Sequence, residues 1–193
     1  MIRFILIVSI SVLNIFLYLP SYAAAPFGFE IGHAKYDYIV NDNFSKRVQF
    51  RDTQMNPYTG GKVLVSQTPH HSDIQGLSSL KLIFDHQDRL AAVFMRIQKA
   101  GSLPQSGEYA GFFGVYGMLM EKYKMKAKDF DANKKSMRAA FQSGEVYIDM
   151  RAEQESNDFD LRYMSQNYLK SKKQFHNNPG YILLGRKTKN NVF

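Results

Sequence analysis

His70, His71 and Asp73 form the one local cluster of metal-ligating side chains in the sequence. Neighbouring side chains on an extended segment point to opposite sides. Holding one ion there would take a bent loop and a distant further ligand, so the segment reads as a polar loop, and neither a metal site nor a cofactor is expected. His86, between Asp85 and Asp88, reads as a turn residue whose aspartates bond to backbone N–H groups. The carboxylate pairs Glu145/Asp149 and Asp158/Asp160 each fall on one face of a strand-like segment, opposite Val146, Ile148, Phe159 and Leu161. That face is expected in solvent, where carboxylates rarely acquire the shifted pKa that acid–base catalysis needs. A hydrolytic site assembled from distant residues, using His70 or His71, stays open as the alternative, because triads are defined by geometry and not by spacing. The chain has no cysteine. This excludes thiol catalysis, disulfides, cysteine-held zinc and iron–sulfur clusters. No complete nucleotide-binding motif, HExxH or GxSxG is present.

Charge is the next chemical feature. The chain carries a formal +8, and no acidic residue follows Asp160. Arg162, Lys170, Lys172, Lys173, Arg186, Lys187 and Lys189 therefore make the last segment uniformly basic, while residues 24–160 hold as many acids as bases. These seven residues are the candidate contacts for an anionic partner, attracted through a salt-dependent field. The other reading is a solvated tail. A second basic cluster, Lys122, Lys124, Lys126, Lys128, Lys134, Lys135 and Arg138, is diluted by Glu121, Asp129 and Asp131. A further candidate surface is the wet face of the strand at 145–152, where Tyr147 and Arg151 stand beside charged neighbours. Tyr and Arg are enriched in protein-binding hot spots, and cross-strand charge pairing on an ordinary exposed sheet gives the same pattern.

These residues need elements to position them. The alternations Phe27/Phe29/Ile31 and Tyr36/Tyr38/Val40 predict strands, and a short strand is expected over 46–52. Asn56-Pro57-Tyr58-Thr59-Gly60-Gly61 predicts a turn into a strand over 62–67. Residues 79–84 and 90–98 predict a hairpin closed at 85–89, and 145–152 with 158–163 a second. Phe112, Val115, Tyr116, Leu119 and Tyr123 recur at helical spacing and predict an amphipathic helix over 112–124. Gly114 and Gly117 weaken it or let it lie close to a sheet. A second short helix is expected over 131–141, and no convincing internal repeat is visible. The fold class is α+β: an antiparallel sheet built from hairpins, with one main amphipathic helix packed on one face.

The first residues look like an address. Arg3 precedes an apolar run over residues 4–19, Pro20 ends it, and Ser21-Tyr22-Ala23 supplies small residues for cleavage. The expected organisation is a signal peptide over 1–23, a single α+β domain over 24–185 and a basic flexible end over 186–193. The expectation is an exported protein, periplasmic or secreted, with no transmembrane segment once the signal is removed. Its expected role is non-enzymatic binding of an anionic envelope component or another exported protein, as in an inhibitor or immunity module. The alternatives are the hydrolase above and an outer-membrane assembly or structural factor. Nucleic acid is not an expected partner.

Overall fold

The computed structural model describes residues 26–67, 76–99, 110–130, 136–153 and 155–177. The signal-peptide reading, His70, His71 and Asp73, and Arg186, Lys187 and Lys189 lie outside them, as does the apolar segment 181–184, which reads from sequence as a last short strand or plug. An eight-stranded antiparallel sheet forms the frame: β1 (Arg51–Thr53), β2 (Gly60–Ser66), β3 (Leu77–Asp85), β4 (Leu90–Gln98), β5 (Lys124–Asp129), β6 (Ser136–Ser143), β7 (Val146–Glu153) and β8 (Asp158–Ser165), in the spatial order β1-β2-β3-β4-β8-β7-β6-β5. Among the described residues four α-helices accompany it: α1 (Tyr36–Asn41), α2 (Asn43–Val48), α3 (Ala110–Lys122) and α4 (Gln166–Asn177).

The strand order reveals a repeat that the sequence hides. Helix α2 leads into the meander β1–β4, α3 leads into the meander β5–β8, and the two meanders meet last strand to last strand through the antiparallel β4·β8 pair. That is the arrangement of a two-fold axis through this pair. The repeat lies in topology alone, because each meander needs only alternating apolar positions, which many unlike sequences satisfy.

One sheet face is the core. Leu80, Leu82, Val93, Met95, Phe141, Ile148, Met150, Phe159 and Leu161 point to it and are buried. Ile39 of α1, Val48 of α2, and Phe112 and Leu119 of α3 close it from above. The expected core residues Phe112, Leu119, Val146, Ile148, Phe159 and Leu161 are buried, whereas Val115 and Tyr116 are only partly so. Asp85 closes the β3–β4 turn: its carboxylate accepts from the backbone N–H of Gln87 and Arg89, both at 2.9 Å, and from Arg89 Nε at 3.0 Å. Burial pushes this carboxyl up, but those donors outweigh burial and hold it below its usual value. Its stabilising effect is therefore complete above the unfolded-state pKa of about 4 and is lost as pH falls through the depressed folded value. Asp85→Asn should cost about 1–2 kcal/mol at neutral pH after solvent screening. In urea titrations at several pH values, that difference should shrink as pH falls below about 4.

Several expectations are corrected. Residues 26–28 form a 3-10 turn, not a strand, because Gly28 and Gly32 take positive φ and fold the chain back; Phe29 and Ile31 still anchor the core. Residues 36–41 are helical: Ile39 is the buried anchor, while Tyr38 and Val40 are exposed. Residues 43–48 are helical too, and the strand begins only at Arg51, after Gln49 turns at positive φ. The segment read as a short helix at 131–141 is strand β6 where described, since its register against β7 buries Ala139 and Phe141. The helix over 112–124 ends at Lys122, and the exposed strand β5 follows it. Helices cover both sheet faces, not one, because α4 lies on the face opposite the core.

Candidate functional site

The face opposite the core is laid out in rungs by the strand register. One rung runs Val63, Ile83, Ala92, Met164, Tyr147; the next runs Val65, Lys81, Phe94, Arg162, Asp149; a third runs Ser79, Arg96, Asp160, Arg151, Arg138. The first is mostly apolar on β2, β3, β4 and β8, so it requires a cover. Helix α4 supplies it. Ser165 ends β8 and caps the helix, its Oγ accepting from the Tyr168 N–H at 3.1 Å. Tyr168 then drops onto the sheet, its ring edge-on to Phe94 at 5.9 Å and to Tyr58 at 6.3 Å. Phe175 packs edge-on against Tyr58 at 5.0 Å, and Lys172 lies over the same ring at 6.0 Å.

Tyr58 is held by its own turn. Asn56 Oδ1 accepts from the N–H groups of Tyr58 (2.9 Å) and Thr59 (3.1 Å), and Thr59 Oγ1 donates to the Phe84 carbonyl at 2.6 Å. Between this turn, α4 and strands β2, β3, β4 and β8 lies a groove of about 900 Å3. Its floor is Val63, Val65, Ile83 and Phe94, and its walls include Tyr58 and Tyr168. Burial pushes the Tyr168 phenol up to about 12, with Tyr58 adding to the rise and Arg162 opposing it. The phenol is therefore protonated at neutral pH and can donate a hydrogen bond.

The polar rim of the groove is unbalanced. Lys81, Arg96 and Arg162 line it against the single carboxylate of Asp160. Asp160 is shared: Arg162 Nη2 reaches it at 2.5 Å and Arg96 Nε at 3.3 Å. The Arg162 guanidinium also lies 5.7 Å from the centre of the Phe94 ring. Lys81 is exposed and makes no ion pair among the described residues. An apolar floor under surplus positive charge can take a ligand that is apolar at one end and anionic at the other.

The structure separates the residues that the sequence grouped as a basic tail. Arg162 is on the sheet at the groove, Lys172 leans over Tyr58, and Lys170 and Lys173 are exposed on α4. Lys81 and Arg96 were missed, since each sits singly in an apolar strand; the signal was their alternation with Leu80, Leu82, Met95 and Ile97, which places them on the opposite face. The cap at Ser165 followed by Tyr168, Leu169 and Phe175 was the signal for α4.

Beyond α4 no described element covers the face, and it carries Tyr147 and Arg151. Tyr147 is half-buried in the apolar rung, and Arg151 is exposed and paired to Glu153 at 2.7 Å. Asp149, expected in solvent, is 6% exposed and bound by Arg138 Nε at 2.6 Å. Charges here are largely matched by their neighbours, unlike those around the groove. Among the described residues no group of three or more metal-ligating side chains converges, and no helix is long and apolar enough to cross a membrane. Comparison with protein-family models, curated proteins and solved structures finds no match.

Proposed function

We propose that this chain is an exported, non-enzymatic binding protein whose ligand is an anionic envelope component, received in the groove beside α4. The observation that carries the reading is the rim of Lys81, Arg96 and Arg162 facing one shared carboxylate over an apolar floor. The charge pattern asks for a carboxylate or phosphate head, and the floor asks for an alkyl or aromatic body. The groove volume falls in the range of small-ligand sites. The apolar run and small residues at 4–23 support export, which would bring the protein to such amphiphiles.

Titration calorimetry with decanoate, dodecanoate and dodecyl phosphate, each below its micelle-forming concentration, tests this. Saturable binding is expected, tightening by about three- to fourfold for each added methylene. Lys81→Glu should weaken it by about tenfold or more, since it reverses an unpaired charge at the rim. No saturable binding by the unmodified protein, or equal binding by Lys81→Glu, would overturn the reading.

A further inference from the structure

Four of the seven exposed large apolar residues among the described ones fall within one stretch: Phe113, Met118, Met120 and Met125. Phe113 is 47% exposed and Met120 44%. Seven residues apart, they stand on one stripe of α3, with Gly117 between them. This flank faces β5. The Tyr116 hydroxyl donates to Met125 Sδ at 3.6 Å, and the Phe113 and Tyr116 rings meet Phe130 at 5.8 and 5.0 Å. Phe113, Met120 and Met125 thus belong to one corner, formed by the side of a helix and the edge strand beside it.

The same corner is basic. Strand β5 is the sheet edge and is exposed along its whole length; Lys128, opposite Ala139, is on the Met125 side of the strand, Lys126 stands at the bulge between Met125 and Ala127, and Lys124, opposite Gln142, is on the other side of the same edge. Lys122 ends α3. The carboxylates in the stretch are Glu121 and Asp129, and Asp129 sits opposite Arg138 in the register. The groove ligand accounts for none of these residues.

We infer that this corner docks on an anionic phospholipid bilayer surface. Exposed Phe and Met side chains beside several lysines match the chemistry of an interfacial contact, in which apolar groups enter the headgroup boundary and lysines meet the lipid phosphates. A second copy of the chain is a poor occupant, because it would set these lysines against each other, and a lysine-rich edge strand resists strand addition. The contact we infer is peripheral, with a helix flank and an edge strand meeting the headgroup region.

The test uses the chain from Ala24 onward, which contains every described element, with vesicles of neutral phosphatidylcholine and vesicles containing about one third phosphatidylglycerol. The protein has no tryptophan, so Phe113→Trp supplies a single reporter while keeping an aromatic ring. Its emission should shift to the blue with anionic vesicles and be quenched by brominated acyl chains. Cosedimentation of Lys124→Gln/Lys126→Gln/Lys128→Gln with anionic vesicles should fall by about tenfold or more at low salt, with an unchanged circular dichroism spectrum. Lys170→Gln/Lys172→Gln/Lys173→Gln should keep most of the binding. The inference is overturned if the unmodified chain ignores anionic vesicles, if the β5 variant binds as well as the parent, if the emission of the Phe113→Trp reporter stays fixed while the protein is bound, or if the α4 variant alone abolishes binding. Each result is independent of the calorimetry with soluble amphiphiles.

Discussion

Phe112→Ala should lower the free energy of unfolding by about 3–5 kcal/mol, the range for removing a buried phenylalanine. Phe112 is fully buried, and its ring makes edge contacts with Phe113, Phe130 and Phe159 at 5.6, 5.7 and 5.5 Å. It therefore joins α3 both to the end of β5 and to β8, and truncation leaves a cavity that rigid strands cannot collapse to fill. Its neighbour Phe113 is about half exposed, so Phe113→Ala should change stability far less, by about 1 kcal/mol or below. Urea unfolding followed by circular dichroism measures both, with equal m-values showing that stability alone has changed. A loss at Phe112 no larger than that at Phe113 would show that α3 is not seated on the sheet through this ring.

The glycines of α3 should respond with opposite signs. A Cβ on Gly111 would lie 2.6 Å from the Gln98 carbonyl oxygen and 2.7 Å from that of Lys99. Both are backbone atoms, and the Gly111 N–H already donates to the Lys99 carbonyl at 2.5 Å. Gly111→Ala must push the start of the helix away from β4, at a cost of about 1–3 kcal/mol. Gly114 and Gly117 have nothing within 4 Å of an added Cβ. Their replacement by alanine should stabilise the protein by up to about 1 kcal/mol each, through the better helix propensity of alanine. Thermal or urea unfolding of the three single variants checks the signs. Destabilisation by all three would mean that the outer side of α3 is covered.

That contrast marks the boundary between what can be read from sequence and what cannot. The helix around Leu119 was legible from its apolar spacing, and so were β3, β4, β7 and β8 from their alternation. Such periodicities report which side of an element is buried, and they act within a few residues. Asp85 could be placed in its turn for the same local reason. Strand β5 was invisible because an edge strand exposed along its length has no buried face to impose a pattern. Residues 36–41 misled because only Ile39 is buried, and one anchor has no period. Nothing local told Gly111 from Gly114; the difference lies in the Gln98 and Lys99 carbonyls that pack against only one of them.

The candidate site was less legible than the fold. The sequence determined that the end of the chain is basic, that no cysteine chemistry is possible, and that Tyr147 and Arg151 share a strand face. Tertiary structure alone decided that Arg162 and Arg96 share Asp160 with Lys81, unpaired among the described residues, in the same groove, that α4 folds back so that Tyr168 walls the groove, and that Lys170 and Lys173 remain on the outside of that helix. The physical reason is the β4·β8 pairing. It sets residues as far apart in sequence as Arg96 and Asp160 side by side on neighbouring strands, and the choice of that neighbour rests on burying two four-stranded halves together, an energy that no local window of sequence contains.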